Sequence, residues 1–153
     1  MKIAILGAGA MGALVGAHLK KGGAQVYFVD PYELHMQAVQ QSGLWMDLEE
    51  TGKENVRVDL ATVNASQVGC CDVVILLVKG MNTRSIIQKN PELFGEQTVV
   101  MSLQNGIGNV DVLKKIFPVE RIGYGVLKAS ATLVEPGKII GRVRFAYSPK
   151  GVY

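Results

Sequence analysis

Three glycines near the start of the chain, Gly7, Gly9 and Gly12, have the spacing G-x-G-x-x-G. In a dinucleotide-binding turn the first glycine allows a tight turn, the second lets the backbone approach a pyrophosphate, and the third lets a helix pack closely on a strand. An apolar run at residues 1–6 precedes the motif and a helix-like run at residues 13–20 follows it, so a helix N-terminus is expected to face the phosphates. The predicted cofactor-binding residues of this turn are Gly7, Ala8, Gly9, Ala10, Met11 and Gly12.

A carboxylate, Asp30, ends the next apolar run at residues 24–30. At this position of a βαβ unit a carboxylate accepts hydrogen bonds from the adenosine ribose and repels a 2′-phosphate. Asp30 is followed by Pro31 rather than by an arginine, so the residues favour NAD(H) and leave NADP(H) open. The competing interpretation is that Asp30 only caps the helix that follows Pro31.

Two further polar side chains, Lys79 and Asn105, come at the ends of apolar runs at residues 71–79 and 98–103. Because the carboxyl ends of parallel strands meet at one edge of a sheet, both are predicted to face the same crevice as the glycine turn. There they are expected to contact cofactor and substrate, which makes them the candidate catalytic residues. The alternatives are that Lys79 only marks a strand end and that Asn105 belongs to an ordinary turn.

The histidines and cysteines give little evidence of a catalytic or metal-binding role. His18 and His35 are the only histidines, and without an acidic partner at an obvious spacing they are interpreted as packed or surface residues. Cys70 and Cys71 are adjacent, which is not a metal-ligand spacing, so they are interpreted as packing thiols and no metal site is expected.

Length and composition bound the class of protein. The 153 residues fit one domain with its own core. Hydrophobic residues make up 48% of the chain, and the basic residues behind its net charge of +3 are scattered, which argues against disorder and nucleic-acid binding. No apolar run is long enough to cross a membrane and the N-terminus lacks signal-peptide features, so a cytoplasmic location is expected.

Alternating strand and helix patterns predict the elements that position these residues. Their order is typical of an α/β protein with a Rossmann-type, doubly wound, mainly parallel sheet. Residues 44–48 and 56–60 are predicted as two strands about a turn at Thr51-Gly52, forming an antiparallel excursion. One further strand is predicted within residues 121–132, before the chain continues through residues 138–147.

The ordered motifs resemble the ketopantoate reductase (2-dehydropantoate 2-reductase) family over essentially the whole chain. The matching segments are K-I-A-I-L-G-A-G-A-M-G at 2–12, L-L-V-K at 76–79, L-Q-N-G-I-G at 103–108 and A-T-L-V-E-P-G at 131–137. The resemblance implies NAD(P)H-dependent reduction of 2-dehydropantoate to pantoate, a step towards pantothenate and coenzyme A. It also implies that Lys79 and Asn105 line the nicotinamide and substrate site and that Ala131 contacts the cofactor through its backbone.

The chain departs from the family pattern in two ways. Family members commonly use NADPH and carry an arginine after the second strand, where Asp30-Pro31 stands here, as in the NAD-preferring members. They also continue into a helical C-terminal domain that supplies a catalytic lysine and much of the substrate pocket. Residues 1–153 are therefore expected to be the cofactor-binding half, inactive alone, of an enzyme that binds a dinucleotide and a small 2-keto acid. A nucleotide-binding or sensing module without catalysis, a reductase of another 2-keto acid, and a homodimer stay open.

Overall fold

The computed structural model describes residues 1–143, so the last residues predicted to follow the Pro136-Gly137 turn, 144–147, lie outside it. The helices are α1 (Ala10–Lys21), α2 (Glu33–Ser42), α3 (Thr83–Lys89) and α4 (Asn109–Lys114). The strands are β1 (Lys2–Leu6), β2 (Gln25–Val29), β3 (Leu44–Leu48), β4 (Gly52–Val56), β5 (Leu60–Thr62), β6 (Val73–Leu76), β7 (Val99–Ser102), β8 (Ile122–Tyr124), β9 (Ala129–Glu135) and β10 (Lys138–Val143).

Six strands form a parallel sheet in the order β5-β2-β1-β6-β7-β8, which confirms the predicted fold class. The strand order reverses at β1, so the carboxyl ends of β1, β6 and β7 surround the crevice where ligands bind in such sheets. The glycine turn, Lys79 and Asn105 all follow these three strands.

Apolar side chains of the central strands enter two cores, one on each face of this sheet. Ile5 and Ile75 pack in the core that includes Leu14 of α1 and Met36 of α2. Leu6, Val74 and Leu76 pack in the other core, which is completed by Ile87 of α3 and Leu113 of α4. Continuous aliphatic runs are typical of strands covered on both faces, and here helices cover both.

The predicted antiparallel excursion is half of a second, four-stranded sheet in the order β4-β3-β10-β9. β3 pairs antiparallel with β4 and parallel with β10, and β10 pairs antiparallel with β9. Local patterns reveal the β3–β4 hairpin but not a partner strand that lies some ninety residues further along the chain.

Two strand boundaries differ from the sequence prediction. The second excursion strand is Gly52–Val56 rather than 56–60, because Gly52 already pairs with Leu48 after a shorter turn. Leu60–Thr62 instead joins the parallel sheet beside β2. The further strand predicted within residues 121–132 is confirmed as β8, which ends at Tyr124, and a second strand, β9, begins in the same range at Ala129 and belongs to the other sheet.

The two cysteines differ in their exposure. Cys71 is buried, as expected of a packing thiol, whereas Cys70 is exposed. Among residues 1–143 no helix has both the length and the apolar character needed to cross a lipid bilayer.

Candidate functional site

The glycine turn begins at Gly7, directly after β1. Gly7 has a positive φ of 98°, a backbone conformation that side chains strongly disfavour. Its N–H donates to the carbonyl oxygen of Val29 at 3.0 Å, which ties the turn to the end of β2. A Cβ here would lie 2.7 Å from Cγ1 and 2.9 Å from the backbone nitrogen of Val78, so the position has room only for glycine.

The other two glycines of the motif differ from each other. A Cβ on Gly12 would overlap the carbonyl oxygen of Gly7, which shows how closely α1 packs on the turn. A Cβ on Gly9 would meet no heavy atom within 4 Å, and Gly9 has an ordinary φ of −66°. Gly9 therefore marks the open side of the turn, where a ligand can approach the backbone.

The N-terminus of α1 opens onto the same space. Gly9 is its N-cap, no side chain caps the helix, and no acidic residue lies in the first turn. The first N–H groups of a helix lack partners within the helix, and its dipole makes this end positive. The chemistry of these donors fits the two phosphates of a dinucleotide.

Asp30 lies immediately after β2, next to the turn, because Val29 at the end of β2 pairs with Leu6 at the end of β1. Its Oδ1 accepts a hydrogen bond of 2.9 Å from the N–H of Tyr32, the N-cap residue of α2, so the competing helix-capping interpretation accounts at most for one carboxylate oxygen. The other oxygen has no hydrogen-bond partner among residues 1–143. The half-buried carboxylate therefore retains an acceptor for a ribose hydroxyl.

A cleft of about 500 Å³ brings four of the predicted residues together: Met11, Lys79, Asn105 and Ala131. We call it the central cleft. Met11 comes from α1, Lys79 and Asn105 from the loops after β6 and β7, and Ala131 from β9 of the second sheet. The remaining lining residues are Leu77, Val78, Gly80, Leu103, Gln104, Leu127, Ala129 and Ser130.

Lys79 and Asn105 present side chains that neither hydrogen-bond nor form ion pairs within residues 1–143, and both residues are exposed. Lys79 does not close a strand as predicted, because β6 ends at Leu76. It precedes a short 3₁₀ turn at Gly80–Asn82, and its carbonyl oxygen accepts from the N–H of Asn82 at 2.8 Å. One ammonium and one amide group are thus free to bind a ligand in the central cleft.

Sequence reasoning missed the residue beside Asn105. The Gln104 amide nitrogen donates to the carbonyl oxygen of Val78 and to Oγ1 of Thr83, each at 2.8 Å. Its oxygen accepts from the hydroxyl of Ser102 at 3.0 Å. Gln104 therefore joins the two loops that carry Lys79 and Asn105. In the sequence, the only signal for this role is that Gln104 is adjacent to Asn105.

A second missed residue is Asn109, which is buried at the start of α4. Its amide nitrogen donates to the carbonyl oxygens of Asn105 and Gly106 at 3.1 and 3.3 Å. A Cβ on Gly80 would lie 2.6 Å from its Oδ1, so the two loops approach closely here too. The backbone around Asn105 is therefore held from inside the protein.

A family model and curated relatives indicate the same family for this chain. Residues 3–148 match the family model described as ketopantoate reductase PanE/ApbA. The chain is 34% identical over 139 residues to the 2-dehydropantoate 2-reductase of Lactococcus lactis subsp. lactis, covering 90% of this chain and 44% of that relative. The chain spans less than half the length of the curated relatives it matches.

Two solved structures illustrate the similarity. The 2-dehydropantoate 2-reductase of Geobacter metallireducens GS-15 superposes with a TM-score of 0.85 and 28% identity, over 94% of this chain and 47% of that chain. D-mandelate dehydrogenase, solved as a ternary complex with NADH and anilino(oxo)acetate, superposes with a TM-score of 0.81 and 33% identity, over 92% and 45%.

Proposed function

Because the chain belongs to the ketopantoate reductase PanE/ApbA family, we propose that it binds a nicotinamide dinucleotide and forms the cofactor-binding half of a 2-dehydropantoate 2-reductase. The central cleft carries this proposal. It adjoins the open glycine turn at Met11 and collects Lys79, Asn105 and Ala131 from three other elements. The glycine turn alone would support only a generic nucleotide site.

Each part of the site has a distinct role in this proposal. Backbone N–H groups of the turn bind the pyrophosphate, and the backbone of Ala131 borders the nicotinamide end of the cleft. A bound reduced nicotinamide supplies a hydride to the keto carbon of the substrate. Lys79 donates hydrogen bonds to the substrate and stabilises the negative charge that develops on the keto oxygen. Asn105 orients the nicotinamide or the substrate through its amide.

Asp30 makes NAD(H) the favoured cofactor within this proposal. Its unpaired carboxylate oxygen is an acceptor for a ribose hydroxyl, and its negative charge opposes a 2′-phosphate. Glu33, in the first turn of α2, adds a second negative charge nearby. NADP(H) is the alternative.

A second candidate is the reduction of a different 2-keto acid. The similarity to D-mandelate dehydrogenase, which was solved with NADH and anilino(oxo)acetate, favours this candidate. The apolar side chains of Leu77, Leu103 and Leu127 in the central cleft are compatible with a bulkier substrate. A third candidate is a nucleotide-binding module without catalysis. A cytoplasmic location and a homodimer are further expectations, the latter measurable by analytical ultracentrifugation.

The test uses two measurements on the purified protein. NADH titration followed by calorimetry should show saturable binding, and its absence would refute cofactor binding. NADH oxidation is then followed with 2-dehydropantoate and with an aromatic 2-keto acid, for this chain and for a full-length relative. We expect negligible turnover by this chain alone, and a rate close to that of the relative would contradict its role as one half of an enzyme.

A further inference from the structure

A fully buried histidine of α2, His35, contacts the glycine turn and the second sheet at once. Its Nε2 lies 3.0 Å from the carbonyl oxygen of Ala8, and its Nδ1 lies 2.9 Å from the backbone nitrogen of Gly137. The carbonyl can only accept and the backbone N–H can only donate. His35 is therefore neutral, with its proton on Nε2.

The bond to Ala8 has a directional consequence for Gly9. The structure contains no cis peptide bond among residues 1–143, so the carbonyl of Ala8 and the N–H of Gly9 point to opposite sides of their shared peptide plane. Holding the Ala8 oxygen towards His35 turns the Gly9 N–H away from the core. Gly9 borders open space and has no side chain that could hold this peptide.

The bond to Gly137 ties the same peptide to the turn between β9 and β10. Gly137 has a positive φ of 79°, and a Cβ there would lie 2.9 Å from Cβ of Ala38 in α2. This turn thus packs directly on the helix that carries His35. Ala131 of β9, in the central cleft, belongs to the same hairpin.

We propose that His35 is a positioning residue for the dinucleotide: its Nε2–H holds the Ala8–Gly9 peptide so that the Gly9 N–H faces the pyrophosphate, and its Nδ1 couples this peptide to the β9–β10 turn. The inference rests on the proposed function, because it requires a pyrophosphate at Gly9. His35 does not touch the reacting atoms in this account.

The charge state of the ring matters to this role. Burial lowers the pKa of His35, against the opposing effects of the bond to Ala8 and the charge of Asp30. Tyr32 also neighbours the ring, with centroids 6.1 Å apart, and Glu135 and Lys138 flank the β9–β10 turn as an ion pair. Protonation would place an N–H on Nδ1 opposite the N–H of Gly137, so acid disrupts the coupling.

Two substitutions distinguish the roles of the two ring nitrogens. His35→Gln places an amide donor near the position of Nε2, whereas His35→Asn offers an acceptor near Nδ1 and cannot reach Ala8. We expect His35→Asn to weaken NADH binding about ten-fold, and His35→Gln to restore most of that loss. NADH affinity of the unsubstituted protein should fall as the pH drops through the pKa of the folded His35, which lies below the ordinary value of about 6.5, and the affinity of His35→Gln should change much less.

The outcomes distinguish the inference from the proposed function. Unsubstituted protein that does not bind NADH refutes the proposed function, and this inference with it. Unsubstituted protein that binds NADH, with equal affinity in His35→Asn or equal loss in both variants, overturns the inference alone. If His35→Asn does not fold, the comparison of pH profiles between His35→Gln and the unsubstituted protein decides the matter in the same way.

Discussion

The amide nitrogen of Gln104 donates a hydrogen bond of 2.8 Å to the carbonyl oxygen of Val78. Val78 immediately precedes Lys79, and Gln104 immediately precedes Asn105. The loops that carry the two candidate catalytic residues are therefore joined by a hydrogen bond between the residues that immediately precede them. In the proposed reaction this bond holds together the two backbone positions from which the ammonium and amide groups extend.

Replacing Gln104 should weaken both the fold and the site. Gln104→Ala leaves the carbonyl of Val78 and the buried hydroxyl of Thr83 without this partner, at a cost of about 1–3 kcal/mol in the free energy of unfolding. We also expect NADH to bind several-fold more weakly. The exposed Gln88 of α3 provides the matched control, Gln88→Ala. Urea unfolding and NADH titration of both variants test this, and matching results for the two would contradict it.

Two glycines of the motif, Gly12 and Gly9, should respond differently to a methyl group. Gly12→Ala forces a Cβ onto the Gly7 carbonyl oxygen, a backbone atom that cannot rotate away, so we expect about 3 kcal/mol of destabilisation. Gly9→Ala enters open space and should cost no more than about 1 kcal/mol, the effect of a less favourable N-cap. Urea unfolding measures both, and equal losses would argue against the close packing of α1 on the turn.

Cofactor preference should depend on Asp30. We expect the unsubstituted protein to bind NADH more tightly than NADPH, and Asp30→Ala to reduce the ratio of the two affinities about ten-fold by removing an acceptor and a charge. Asp111→Ala, at an exposed position of α4, removes the same charge elsewhere as a control. Calorimetry with both dinucleotides gives the ratios. A ratio near one before any substitution would refute the ribose argument.

Stability should fall in mild acid because of His35. Its pKa is lower in the folded protein than its ordinary value of about 6.5, so the unfolded chain binds more protons between those two values. Its contribution to the free energy of unfolding is therefore complete above about pH 6.5 and declines as the pH falls towards the folded pKa. His35→Gln should remove this slope in urea unfolding across that range, and a slope that persists unchanged would assign it to other groups.

A carboxylate, Glu54, also contributes to the pH dependence of stability. Glu54 has a lowered pKa, chiefly because its carboxylate accepts a hydrogen bond from Lys21. Its stabilising effect is present above its ordinary pKa of about 4.5 and is lost as the pH falls through the lowered pKa of the folded protein.

Sequence patterns predicted the parts of this molecule that local order determines. The spacing of Gly7, Gly9 and Gly12 between a strand and a helix was sufficient to predict the turn, and the apolar runs before Lys79 and Asn105 predicted a shared sheet edge. The second sheet was only half predicted, because β10 pairs with β3 across a long separation that no local period records. For the same reason the contacts of Gln104 and His35 emerged only from the three-dimensional arrangement.

Calorimetric NADH titration of Gly9→Asp shows whether a dinucleotide binds at the open side of the glycine turn. Aspartate is a favourable N-cap, and Gly9 has space for it, so the free energy of unfolding should be maintained or raised. Its carboxylate would occupy the pyrophosphate position and repel it. We predict saturable NADH binding by the unsubstituted protein and none detectable by folded Gly9→Asp, whereas equal affinity of the two proteins would place the dinucleotide elsewhere.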